Sequence, residues 1–222
     1  MKPTPQQTAE LTNYLKKELK FRESFEEIYD HILSALEHKA DDANFQDTVN
    51  AIIKEDFGGH NRLPEIEKRI ATSIADDCRR KFRGFFVDQL KAPSIFYYLP
   101  IGAALYFILD ALQLAPKAVQ VVFVLIMFCP SFLALFRYFK GGYAFEDRSA
   151  SARDKVFGFT TWLPLWLTGG LILWMPKLDV YFIAHAIWGS GSYVLPAILL
   201  TLAMMYNVAV YKLYSDEFKF AK

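Results

Sequence analysis

Beyond Pro93 the chain runs through four long stretches almost free of charge, and no other feature constrains its fold as strongly. Residues 94–114 hold one ionisable carboxylate, Asp110, residues 118–136 and 156–176 hold no charge, and none occurs between Asp179 and Lys212. At a 1.5 Å rise per residue, each stretch wound as a helix can cross a hydrocarbon layer of about 30 Å. A chain with such runs does not read as a purely soluble enzyme. The last run is too long for one simple crossing and is interrupted at Gly189, Ser190, Gly191 and Ser192. The expected spans are therefore 94–114, 118–136, 156–176 and 192–213, with Leu178 to Trp188 an interfacial or re-entrant piece.

Basic residues orient these spans. The link at Ala115-Pro116-Lys117 and the stretch 177–191 each carry one basic residue, whereas Arg137, Lys140, Arg148, Arg153 and Lys155 gather between the second and third spans. The positive-inside tendency places that loop, the short tail 215–222 and both termini in the cytoplasm. Tyr97, Tyr98, Tyr138, Tyr206, Tyr211 and Tyr214 fall near the inner ends, and Trp174, Trp188 and Tyr193 near the outer ones, as interfacial aromatics do.

The first half is a different polymer. Residues 1–93 hold 15 basic and 17 acidic side chains, leaving 10 and 7 for the remainder. That slight acidic excess argues against nucleic acid as a partner. The opening MKPTPQQTAELTNYLKKELK has no apolar core and no small-residue cleavage site, so no secretory signal is expected. Cys78 lies among charges and Cys129 in an apolar run, settings in which both are expected to be free and reduced.

Four amphipathic helices are expected here. Thr4, Pro5 and Gln7 have capping-box spacing ahead of Leu11, Tyr14, Leu15 and Leu19, giving a helix over roughly 5–20. Ser24 and Glu27 repeat the spacing before Phe25, Ile28, Ile32 and Leu36, giving a second helix to about residue 39. A turn at Asp41, Asp42 and Ala43 leads to Asn44, the expected cap of a third helix that buries Phe45, Val49, Ile52 and Ile53 and stops at Gly58-Gly59. From Pro64 a long fourth helix repeats apolar residues every four positions, through Ile66, Ile70, Ile74, Cys78, Phe82, Phe86 and Leu90.

Several residues are candidates for function. Arg79, Arg80, Lys81 and Arg83 interleave with Phe82, Phe85 and Phe86, a composition suited either to a membrane surface or to a solvated helix face. On the second helix Glu27, Asp30, His31, Ser34 and His38 line the side away from the core, a candidate partner-binding face. His31 and His38 are two turns apart, too far to share one zinc ion easily, so no metal or other cofactor is expected. Within the apolar half, Asp110 and Asn207 are the candidate intramembrane polar groups; Asp110 lies near a span end, and Thr160, Thr161, Thr168 and Thr201 suit bonds between helices. Pro100, Pro130, Pro164 and Pro196 put one proline in each span, and Trp162 and Trp166 share a face. The chain has no HExxH, GxSxG, Walker loop or CxxC, so no catalytic residue is assigned and an enzyme is not expected.

The segment FEEIYDHILSALE followed by FQDTVNAIIKEDFGG resembles the HAAS-type, or permease-prefix-like, helical domains of bacteria, through Glu27, Ile28, Asp30, His31, Ile32, Glu37, Glu55, Phe57 and Gly58. The resemblance covers about residues 10–90, with departures at the doubled glycine and the long basic-aromatic helix. It implies a sensory or regulatory attachment to membrane spans and no defined reaction. The expectation is thus an all-α chain: a cytoplasmic helical domain over 1–92, then a four-span domain over 93–214 in a bacterial inner membrane. Its partners would be the bilayer and another protein or a second copy, and its action would be by binding. A small oligomeric transporter or channel subunit is the alternative.

Overall fold

The computed structural model describes residues 1–40, 43–140, 150–174 and 192–218. Every regular element in them is helical, and two compact units are formed: Met1–Asp77 with Gly142–Lys155, and Cys78–Gly141 with Val156–Lys222.

The first unit contains α1 (Pro5–Glu18), α2 (Arg22–Glu37), α3 (Phe45–Phe57), a 3-10 turn (His60–Arg62) and the first part of α4 (Leu63–Gln89). Capping fixes two of the starts. Thr4 Oγ1 accepts from Gln7 N at 3.3 Å while Gln7 Oε1 accepts from Thr4 N at 2.8 Å, a reciprocal box that satisfies donors the first turn leaves open. Asn44 Oδ1 accepts from Gln46 N and Asp47 N at the head of α3. Gly58 ends α3 with φ +73°, a left-handed conformation that glycine adopts without the strain a β-carbon brings. The heptad-like stripes then close on one another: Leu11, Leu15, Leu19, Ile28, Ile32, Leu36, Val49, Ile52, Ile53 and Leu63 form one buried cluster.

The start of α2 differs from the expectation. Its N-cap is Phe21, with no side-chain cap, and Ser24 is buried inside the first turn with its hydroxyl unpartnered among the described residues. The Ser24–Glu27 spacing therefore caps nothing, because the backbone turns into helix three residues earlier than the pattern indicated. The turn residues Asp41 and Asp42 lie outside the described residues.

The second unit holds the rest of α4 with α5 (Ile95–Leu112), α6 (Pro116–Lys140), the part of α7 (Ala152–Trp174) from Val156 onward, and α8 (Val194–Phe218). Against the expectation of four, three helices among the described residues are long and apolar enough to cross a membrane: Ile95–Leu112, Lys117–Lys140 and Val194–Phe218. The third expected span, 156–176, is helical as α7 over its described part, 156–174. Even its charge-free part after Lys155 is less apolar, because Gly158, Thr160, Thr161, Trp162, Pro164 and Trp166 interrupt its aliphatic residues. The piece Leu178 to Trp188 lies outside the described residues.

α8 packs on both α5 and α6. Its buried side includes Ala197, Ala203 and Ala209, small residues that let helix backbones approach without a solvent-driven collapse. The contacts also fix direction. At one end Tyr193 Oη donates to Leu114 O at 3.1 Å, and Leu109, Val119, Ala197 and Leu200 cluster. At the other, the guanidinium of Arg137 lies 4.3 Å from the Phe218 ring centroid, and Phe157, Val210, Leu213 and Phe218 cluster. So α6 and α8 run in the same direction, with α5 opposed to both. Outward the helices present Phe96, Leu99, Phe107, Leu125, Phe132 and Phe136, an apolar surface suited to lipid and not to water.

Candidate functional site

Residues far apart in sequence converge where α1 turns into α2. The buried carboxylate of Glu67, on α4, accepts from the backbone N–H groups of Lys20 at 2.6 Å and Phe21 at 2.8 Å, satisfying donors at the open start of α2. Next in sequence, Arg22 N donates to Ala150 O at 3.0 Å, and Phe21 pairs with Ala150 as an isolated parallel bridge. One residue further, Glu23 receives three donors from the head of α7: Ser151 Oγ at 2.5 Å, Ala152 N at 2.9 Å and Arg153 N at 3.4 Å. Ser151 Oγ in turn accepts from Asp154 N at 3.1 Å, and Lys155 Nζ lies 5.6 Å from the Phe21 ring centroid.

The arrangement is an anion held at a helix N-terminus, supplied by another helix of the same unit. Unpaired N–H groups and the positive end of the helix dipole both favour a carboxylate there. Burial pushes the Glu23 carboxyl up, but the Ser151 hydroxyl and the backbone N–H groups together outweigh it and hold the group below the ordinary carboxylate value. Sequence reasoning did not find Glu23. A partial signal was present, since Ser151-x-x-Asp154 ahead of an apolar run is capping-box spacing. The partner lies 128 residues from Ser151, a separation no local pattern reaches.

The α2 face named from sequence is exposed throughout: Glu27, Asp30, His31, Ser34 and His38. Two of these residues also serve the bundle. His31 Nε2 stands 2.9 Å from Asp56 Oδ2 and its ring meets Phe57 edge-on at 5.0 Å, joining α2 to α3. His38 Nδ1 lies 2.9 Å from the backbone oxygen of Ser34. Among the described residues, no three His, Cys, Asp or Glu side chains gather to hold a metal ion.

The basic-aromatic stretch divides by helix face. Phe82 and Phe85 pack against the cluster around Val210 and Leu213, Phe82 meeting Tyr206 edge-on at 5.3 Å and stacking with Phe86 at 6.5 Å. Lys81 pairs with Asp216 at 3.0 Å and with the buried Glu217 at 2.5 Å. Arg79, Arg80 and Arg83 are exposed. The buried Gln89 adds a further tie, donating to Phe85 O and Met205 O and accepting from the Tyr98 hydroxyl.

Of the intramembrane candidates, Asp110 is exposed near the end of α5, where its backbone oxygen accepts from Gln113. Asn207 Nδ2 donates to Ile126 O at 3.0 Å and Ala203 O at 2.8 Å, linking α8 to α6. The threonines differ from expectation: Thr160, Thr161 and Thr201 each donate back to a carbonyl of their own helix, so their hydroxyls are used locally. The link between α7 and α8 comes instead from the Tyr206 hydroxyl, which donates to Thr160 O. Cys78 is buried and Cys129 exposed, and neither takes part in a disulfide.

No family model, curated protein or solved structure matches the chain.

Proposed function

We propose that this chain is a membrane-embedded regulatory or scaffolding protein, in which the helical bundle binds another protein and passes that event to its apolar helices without catalysis. The observation that carries this reading is the grip of Glu23 on the head of α7. A bundle joined only by flexible linkers could bind a partner without the apolar helices responding; a charge-assisted cap couples the α1–α2 corner to a helix that continues into the second unit. The exposed acidic stripe of Glu27, Asp30, Ser34 and His38 is the partner face, and the resemblance to HAAS-type domains points the same way.

The bundle belongs on the cytoplasmic side of a bacterial inner membrane. Arg137 and Lys140 end α6, and Lys81 and Arg137 meet the end of α8, so the basic residues support one cytoplasmic face that also takes both termini. The parallel run of α6 and α8 supports a return of the chain between them, and α7 begins that return. A transporter or channel subunit is the weaker reading: Asp110 sits exposed near a helix end, and the Asn207 amide is committed to two carbonyls.

The test is complementation of a deletion phenotype. Glu27→Lys with Asp30→Lys should abolish function with helicity and membrane expression unchanged, and Glu23→Ala should do the same by releasing α7. Asp110→Asn should retain function, and its loss in that variant alone would move the assignment to transport.

A further inference from the structure

Between α5 and α8 lies a cavity of about 300 Å³, walled by Leu99, Ala103 and Tyr106 on one side and Ala197, Ile198 and Leu202 on the other. Gly102 sets how near the walls come: a β-carbon at that position would lie 3.2 Å from Thr201 Oγ1. Both walls belong to helices able to cross a membrane, so the medium at the opening is hydrocarbon.

One end of this groove has a different chemistry. Leu90, in the turn that closes α4, lines it. Counting back by seven and three residues along α4 gives Arg83 and Val87, which share a helix face with Leu90. Val87 and Leu90 are exposed, and Arg83 is exposed and makes no ion pair among the described residues. Seven residues of helix are roughly 10 Å, enough to carry Arg83 from the edge of the hydrocarbon into a headgroup layer about 5–8 Å deep. The face therefore presents a cation, then aliphatic side chains, then an apolar slot.

An amphiphile with an anion at one end and hydrocarbon at the other is complementary to that order of surfaces. We propose that the groove holds one acyl chain of an anionic phospholipid whose phosphate is met by Arg83. The groove is too apolar for a soluble phosphate compound, and a second copy's helix would leave the arginine without a counter-charge. The proposal rests on the membrane location of α5 and α8 but not on partner binding by the bundle.

The experiment uses the full chain in mild detergent and follows its thermal midpoint during titration with phosphatidylglycerol, phosphatidylcholine or glycerol phosphate. Wild type should reach its half-maximal shift at about five-fold less phosphatidylglycerol than phosphatidylcholine, the preference one surface arginine provides. Arg83→Gln should abolish the preference while keeping the response to both lipids. Ala103→Phe and Ile198→Trp, two independent ways of filling the slot, should weaken the response to both, and glycerol phosphate should give none. The idea is overturned by any of four results: a preference that survives in Arg83→Gln, a lipid response unchanged in a folded slot-filling variant, a full shift with glycerol phosphate, or efficient cross-linking between copies through Ala103→Cys. A chain that stays in solution without detergent would overturn this proposal together with the membrane reading.

Discussion

Glu23 is the residue at which chemistry and architecture meet, because its charge is useful only while the head of α7 is formed. Its folded-state pKa is lowered, so the stabilisation is fully present above the unfolded value, ordinarily 4.5, and is lost as pH falls through the folded value below it. The thermal midpoint of wild type should therefore exceed that of Glu23→Gln at neutral pH, and the two should converge in strong acid. A difference that grew on acidification would mean the carboxyl is used in its protonated form. Removing the cap altogether in Glu23→Ala should cost about 1–2 kcal/mol of local stability, the usual range for helix caps, read as faster amide exchange at Ala152 and Arg153. At His31 the contact with Asp56 makes a carboxylate hazardous: His31→Glu would set two carboxylates side by side and weaken the α2–α3 contact as well as the exposed face.

At the scale of elements, the bundle should hold its fold through its core stripes. Ile32 is fully buried among α1–α3, and Ile32→Ala should lower stability by about 2–5 kcal/mol, measured by denaturant unfolding of residues 1–77. Where a helix starts and which face it buries were legible for α1 and α3, since Thr4, Asn44 and Gly58 act within a few residues of themselves. The start of α2 was not, because Ser24 has the chemistry of a cap but sits where the turn has already closed, and burial against neighbours decided its place. The apolar half was legible as helices from hydropathy alone. What hydropathy could not give is which polar side chain bonds to which helix: Asn207 reaches Ile126 and Gln89 reaches Met205, while the threonines turn back on their own carbonyls. The candidate site was hidden for the same reason, as all of its contacts but the local Ser151–Asp154 bond join segments tens to more than a hundred residues apart.

For the whole molecule, the direction of α5 can be checked without knowing any partner. Lys91 precedes the helix and Gln113 follows it, and both are exposed. In a background of Cys78→Ala and Cys129→Ala, single cysteines at these positions should react oppositely with an impermeant thiol reagent in intact cells, Gln113→Cys labelled and Lys91→Cys protected. Equal labelling would show that α5 does not cross. The length of α4 has a further consequence. It is one unbroken helix of 27 residues whose first part carries Glu67 and whose last part carries Lys81, Phe82 and Phe85. Such a rod has a phase as well as a length, and each inserted residue turns everything downstream by about 100°. One alanine added after Phe85 would turn Lys81 and Phe82 by that angle relative to Gln89, so that the pairing with Asp216 and the bond to Met205 O could not both form. The last part of α4 is thereby keyed like a shaft, its ties to α8 all cut at one phase.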